Sequence, residues 1–81
     1  MYISLGNGKF AANTDIIGIF DLDITSQSHL TRKYLNAAEK SGKVINASED
    51  IPKSFVVTKE GNVFISQPAT ATLIRRIEDE A

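Results

Sequence analysis

The sequence predicts a small α+β domain, with a mixed or antiparallel sheet of about five or six short strands joined largely by hairpins, and two helices. Three observations lead there. Gly6-Asn7-Gly8 and Glu60-Gly61-Asn62 each separate two short apolar segments, and glycine and asparagine tolerate the positive φ of tight hairpin turns. Leu30, Tyr34, Leu35, Ala37 and Ala38 recur at helical spacing inside an otherwise polar stretch. The chain has 81 residues, 42% hydrophobic and 23% charged, which is ordinary globular composition for one domain spanning residues 1–81.

Taken in order, residues 2–5 and 9–12 form the opening hairpin. Residues 16–22 are rich in β-branched and aromatic side chains and read as a third strand, buried on both faces near Ile17 and Ile19. A helix starting at Asn13 is the competing reading. The helix over 28–41 has Ser26 or Ser28 as N-cap and Gly42 where a left-handed C-terminal residue belongs. Val44-Ile45 and residues 54–58 read as two more strands, separated by the polar Asn46-to-Asp50 loop with Pro52 as a stop signal. Residues 58–66 repeat the hairpin pattern. Pro68 suits the first turn of a closing helix, on which Leu73, Ile74 and Ile77 make an apolar stripe running into the acidic Glu78, Asp79 and Glu80.

Composition excludes several functions. Nine Lys and Arg against ten Asp and Glu leave a formal charge of −1, so no global basic excess points to nucleic acid, and any polyanion must meet a local patch. With no cysteine, neither a disulfide framework nor a thiolate zinc site can form. A chain this short buries only about 60% of its unfolded surface, so association with copies of itself is the expected source of further burial. The apolar runs are far shorter than the ~20 residues a bilayer demands. Met1-Tyr2-Ile3 shows neither a basic start nor a long apolar stretch, so no secretion signal and a cytoplasmic location are expected.

The sharpest enzyme-like string is the segment from Ile16 to Thr25, an apolar strand ending in Asp-x-Asp-x-Thr. It resembles the first motif of haloacid-dehalogenase phosphatases, and on that resemblance Asp21 would be nucleophile, Asp23 general acid and base, and both would hold magnesium. The rest of that pattern is missing, position 24 is Ile where the common form has Gly, and the doubly wound sheet of those enzymes needs a longer chain. The plainer reading is a strand with two carboxylates at its exit, hence no catalytic residue and no magnesium or other cofactor. His29 is the single histidine and makes neither a metal set nor a triad. Gly6-Asn7-Gly8 lacks the spacing of a phosphate-binding loop and is turn chemistry. Arg32, Lys33, Lys40, Lys43, Lys53, Arg75 and Arg76 fit solvated helix and strand surfaces; the alternative is a phosphate-binding rim that becomes effective when repeated in a multimer.

The whole chain, more than any single motif, resembles the RemA/RemB family of bacterial extracellular matrix (biofilm) regulatory proteins. The residues that carry this are Tyr2-Ile3-x-Leu5-Gly6, the Asn13-to-Phe20 segment, Thr31-Arg32 with Leu35 and Ala38, and Gly42-Lys43-Val44-Ile45. Pro52-Lys53-Ser54-Phe55-Val56-Val57-Thr58 and Val63-Phe64-Ile65-Ser66 with Pro68, Thr72 and Leu73 complete it. The Pro52-to-Thr58 run and the Ile16-to-Asp21 strand point to the RemB branch. The resemblance implies a LytTR-like fold and a non-enzymatic transcription regulator, a homo-oligomeric ring that holds double-stranded DNA and takes no small-molecule substrate. RemA-type proteins carry an arginine in the segment matching Asn13-Thr14-Asp15 and an arginine pair before the fourth strand, where this chain has Asp15 and Ile51-Pro52. The expected DNA contacts are therefore Lys53, beside that loop, with Lys9, Arg32 and Lys33. Strand edges or the Leu73/Ile77 stripe are expected to supply the subunit contact. The rival is an oligomeric protein-interaction module of the same fold that has lost DNA binding.

Overall fold

The computed structural model describes residues 1–25 and 28–80. The α+β class is as expected: six strands, β1 (Tyr2–Gly6), β2 (Lys9–Ala12), β3 (Ile16–Asp21), β4 (Val44–Ala47), β5 (Ser54–Thr58) and β6 (Val63–Ser66), together with helices α1 (Leu22–Thr25), α2 (His29–Lys40) and α3 (Thr70–Glu80). The short α1 is the one element the sequence does not announce. Asn13–Asp15 make a single 3-10 turn before β3, so the competing helix from Asn13 does not form. The second N-cap candidate, Ser26, lies outside the described residues.

Local chemistry explains the best-anticipated elements. Gly6, Asn7 and Gly8 all have positive φ (112°, 50° and 72°), which turns β1 back onto β2. The Ser28 hydroxyl accepts from the Thr31 N–H at the start of α2. At its end Gly42, with φ of 72°, donates to the Glu39 carbonyl while the Lys43 N–H reaches the Ala38 carbonyl. These are the two bonds of a Schellman motif. Pro68 does not enter α3: the Ala69 carbonyl takes the first helical bond, from Leu73, so Pro68 leads into the helix from outside.

The strands form a β1-β2 ribbon and a four-stranded sheet in the order β3-β5-β6-β4. β5 is antiparallel to both neighbours, whereas β4 runs parallel to β6. The chain therefore passes from β4 across the end of β6 to reach β5. That crossing loop is fixed by its own side chains, since the Ser48 N–H donates to Asn46 Oδ1 and the Ser48 hydroxyl to the Asp50 carbonyl, and by a backbone bond from the Lys53 N–H to the Ser66 carbonyl at the end of β6.

One face of the larger sheet carries Ile19, Val56, Phe64 and Ala47, and Ile3, Leu5, Ala11, Leu73 and Ile77 close over it. This is the core, so the ribbon and α3 share one side. Leu73 is fully buried there. The expectation that the Leu73/Ile77 stripe faces water and joins subunits is thereby corrected, because α3 spends its stripe inside its own domain. The opposite face carries Phe20, Phe55, Val57 and Ile65, covered only in part by α2, none of whose residues is buried. Ile17 is 65% exposed, against the expected two-sided burial. The pairing of Ile16 with Thr58 and of Gly18 with Val57 leaves Ile17 as the extra residue of a bulge, and β3 is an edge strand, so among the described residues no further strand covers it.

Candidate nucleic-acid interface

Lys53 owes its position to the backbone. Its N–H donates to Ser66 and its carbonyl accepts from the Leu22 N–H at 2.9 Å, which pins the residue between the end of β6 and the start of α1 while its side chain stays exposed. The neighbouring Ser54 is fully buried, and its hydroxyl donates to the Pro68 carbonyl at 2.7 Å. Ser66, also fully buried, donates to the Leu5 carbonyl. Two buried hydroxyls without partners would be costly, so both bonds hold the 67–69 segment and the end of β1 against the sheet.

The result is a groove of about 450 Å³ lined by Gly6, Lys53, Gln67, Pro68, Ala69, Thr72 and Arg76. Arg76 donates through Nη1 to the Ser4 carbonyl at 2.8 Å, which uses one of its five N–H donors and leaves its charge beside Lys53. Gly6 is the cross-strand partner of Lys9, so that lysine stands at the ribbon end bordering the groove. Two cations, a hydroxyl, an amide and a third cation nearby suit a phosphate.

The four expected contact residues do not share one surface. Lys53 lines the groove beside α3, and Lys9 is the cross-strand partner of Gly6 at its border. Arg32 and Lys33 lie on α2, on the other side of the sheet, where they line a shallow surface with His29, Asn36 and Lys40. Leu30 is not buried behind them: it is 76% exposed. Sequence reasoning misses Arg76, which reads there as one of two arginines on a solvated helix. Its spacing holds the signal, since it sits three residues after the buried Leu73 and one before Ile77, on the flank of the core-facing stripe, while Arg75 points elsewhere.

Asp21 ends β3 and Asp23 lies in the first turn of α1, so Asp-x-Asp straddles a strand-to-helix junction instead of closing a strand. Among the described residues no three histidine, aspartate or glutamate side chains converge into a metal-holding group. Among them, too, no helix is long and apolar enough to cross a membrane.

A small α+β domain with a basic groove at the strand ends is the class this geometry defines. The comparisons give the family. A family model described as "Extracellular matrix regulatory protein A-like" matches residues 2–77. The chain is also 33% identical over 78 residues to Extracellular matrix regulatory protein B of Bacillus subtilis (strain 168), covering 96% of this chain and 91% of that protein. The chain therefore belongs to the RemA-like family.

Proposed function

We propose that this protein is a cytoplasmic, non-enzymatic regulator of extracellular matrix genes that works as a homo-oligomeric ring and holds double-stranded DNA through its backbone. The regulatory role follows the family, whose model and relative are both described as extracellular matrix regulatory proteins. The observation that carries the DNA part is the groove that brings Lys53 together with Arg76, with Lys9 at its border. Lys53 stands next to the loop where RemA-type proteins keep their arginine pair, so basic character is retained at that place with different residues. Arg32 and Lys33 offer a second, separate surface. One copy provides few phosphate contacts, and an oligomer repeats them.

The test is a mobility shift of duplex DNA at low and moderate salt, beside a mass measurement in solution. Phosphate-dominated binding should fall steeply as salt rises, and the mass should exceed that of a dimer. A concentration-independent monomer overturns the assembly. No shift even at low salt favours the second reading, an oligomeric interaction module without DNA binding, which the net charge of −1 and the replacement of the RemA-type arginines by Asp15 and Ile51-Pro52 support.

Asp21 and Asp23 are expected to take no part in catalysis. Replacing both with asparagine should change neither the assembled mass nor the magnesium-dependent release of phosphate from a generic ester, which should be at background in the unaltered protein. Turnover that disappears in Asp21→Asn would instead establish a phosphatase.

A further inference from the structure

A four-stranded sheet is about 14 Å across from its first strand to its last and a helix with its side chains about 10–12 Å wide, so α2 alone leaves both margins of its face open. The two margins differ. Toward β4, Glu39, Asn46, Ser48 and Asp50 stand among the apolar residues and make a mixed surface. Toward β3, Ile17 and Phe20 on the strand and Leu30 and Tyr34 on the helix wall an open groove of about 340 Å³, with Phe55 in its floor. All four walling residues are at least 40% exposed, which makes a contiguous apolar patch. Phe20 lies stacked on Phe55, ring centroids 5.1 Å apart, and Gly18 makes this possible, because a Cβ there would stand 2.7 Å from the Phe20 ring.

Charge and shape together say what such a groove can take. Lys33, Ala37 and Lys40 follow one another at intervals of four and three, so they form a row along α2 beside Leu30 and Tyr34. That row gives the apolar groove a basic rim. Glu39, the one acid of α2, lines the other margin instead. The twelve residues of α2 and the six of β3 are about 18 and 20 Å long, so the two walls can flank about three turns of another helix. An added strand is the poorer fit, because the bulge at Ile17 breaks the regular β3 edge that it would need.

From these features we infer that the groove docks an acidic amphipathic helix of a different protein. Its apolar stripe, with anchors at i, i+3, i+4 and i+7, lies between β3 and α2, and the carboxylates on its flank reach Lys33 and Lys40. The apolar stripe supplies the affinity, and the basic rim selects the sign of charge and the orientation. The inference stands apart from the DNA reading. Because the groove and the Lys53 groove lie on opposite sides of the sheet and share no residue, one domain can hold both ligands at once.

Fluorescence anisotropy with designed helices tests this on the full chain. The probe is a synthetic peptide of about 16 residues, held helical by a side-chain cross-link, with leucines at the anchor positions and glutamates on the flanks. Two relatives accompany it, one with lysine in place of glutamate and one with the same acidic composition but the leucine stripe scrambled. The acidic helix should bind with a Kd of about 10–100 μM, the basic one about tenfold more weakly, and the scrambled one not measurably. Leu30→Asp, at an exposed position, should weaken the acidic helix at least about 30-fold, whereas Ile51→Asp, equally exposed but outside the groove, should leave binding as it is. Changing Lys33 and Lys40 together to glutamate should reverse the preference in favour of the basic helix. Circular dichroism and thermal melting establish that each variant is folded, and Ile17→Asp replaces Leu30→Asp if that one is not. Absence of binding at about 1 mM acidic helix overturns the inference, as does equal binding of the acidic and scrambled peptides or of the acidic and basic ones. A Leu30→Asp protein of lower assembled mass than the wild type gives the groove to a second copy and overturns it too.

Discussion

Replacing Gly6 with alanine should destabilise the domain more than any other single methyl addition at a turn. With φ of 112°, Gly6 occupies a backbone region that residues with a Cβ rarely adopt. A Cβ would also stand 2.6 Å from the Ala47 carbonyl oxygen. That oxygen is backbone, in a β4 residue that is fully buried and held in register against β6, so no side chain can swing aside to relieve the overlap. Nor can the ribbon lift away easily. Leu5, next in the chain, is fully buried, and its carbonyl accepts from the Ser66 hydroxyl.

Backbone strain and the overlap together should cost about 3–5 kcal/mol, against a total stability of roughly 4–12 kcal/mol for a chain of this length. Gly8→Ala is the matched control. It has φ of 72° but nothing within 4 Å of the added Cβ, so it carries the strain alone and should cost only about 1–2 kcal/mol. Urea unfolding of the two variants should give a much lower midpoint for Gly6→Ala with a similar slope. Equal midpoints would show that the ribbon end yields to the sheet and that its close approach to Ala47 contributes little rigidity.

The turn that makes Gly6 critical is visible in the sequence, but its approach to β4 is not, and the same division runs through the fold. Elements set by neighbours along the chain are legible: the two hairpins from their glycines, and α2 from the Ser28 cap and the Gly42 Schellman turn. What escapes the sequence depends on which strand lies at an edge and which helix covers which face. Ile17 has the sequence of a buried strand residue, and its exposure comes from a bulge on an edge strand. Leu73 and Leu30 look equivalent as apolar helix positions, yet α3 lies over the core while α2 only rests on the far face. The site divides for the same reason. Arg76 and Lys53 come to line one groove because the loop from β4 crosses the end of β6, the Ser54 hydroxyl holds the lead-in to α3 and the Ser66 hydroxyl holds the end of β1, a meeting that no local spacing encodes. Arg32 and Lys33 part from Lys53 because the sheet stands between α2 and α3.

Lys53→Glu should reduce duplex DNA binding far more than the same change at Arg32. Lys53 is held through both of its backbone hydrogen-bonding groups, which fixes where its side chain starts, and Arg76 lines the same groove and adds a second cation. Removing one lysine–phosphate pairing should reduce the slope of log affinity against log salt by about one unit. In an oligomer the deficit recurs in every copy along the DNA, so the measured weakening should exceed what one charge reversal gives in a monomer. Lys53→Arg should bind nearly as well as the wild type, because a phosphate here requires a cation and not a particular shape. Sequence preference should be mild, since bonds to phosphate position a protein without reading bases. Arg32→Glu separates the two basic surfaces: a larger effect there than at Lys53 would move the DNA to α2, on the opposite side of the sheet from α3. If both changes leave the shift and the assembled mass as they were, neither surface meets DNA. Arg76→Lys then distinguishes the parts within the groove, because it keeps the charge while giving up the fork that bonds the Ser4 carbonyl, and it should lower affinity about threefold to tenfold with the salt slope unchanged.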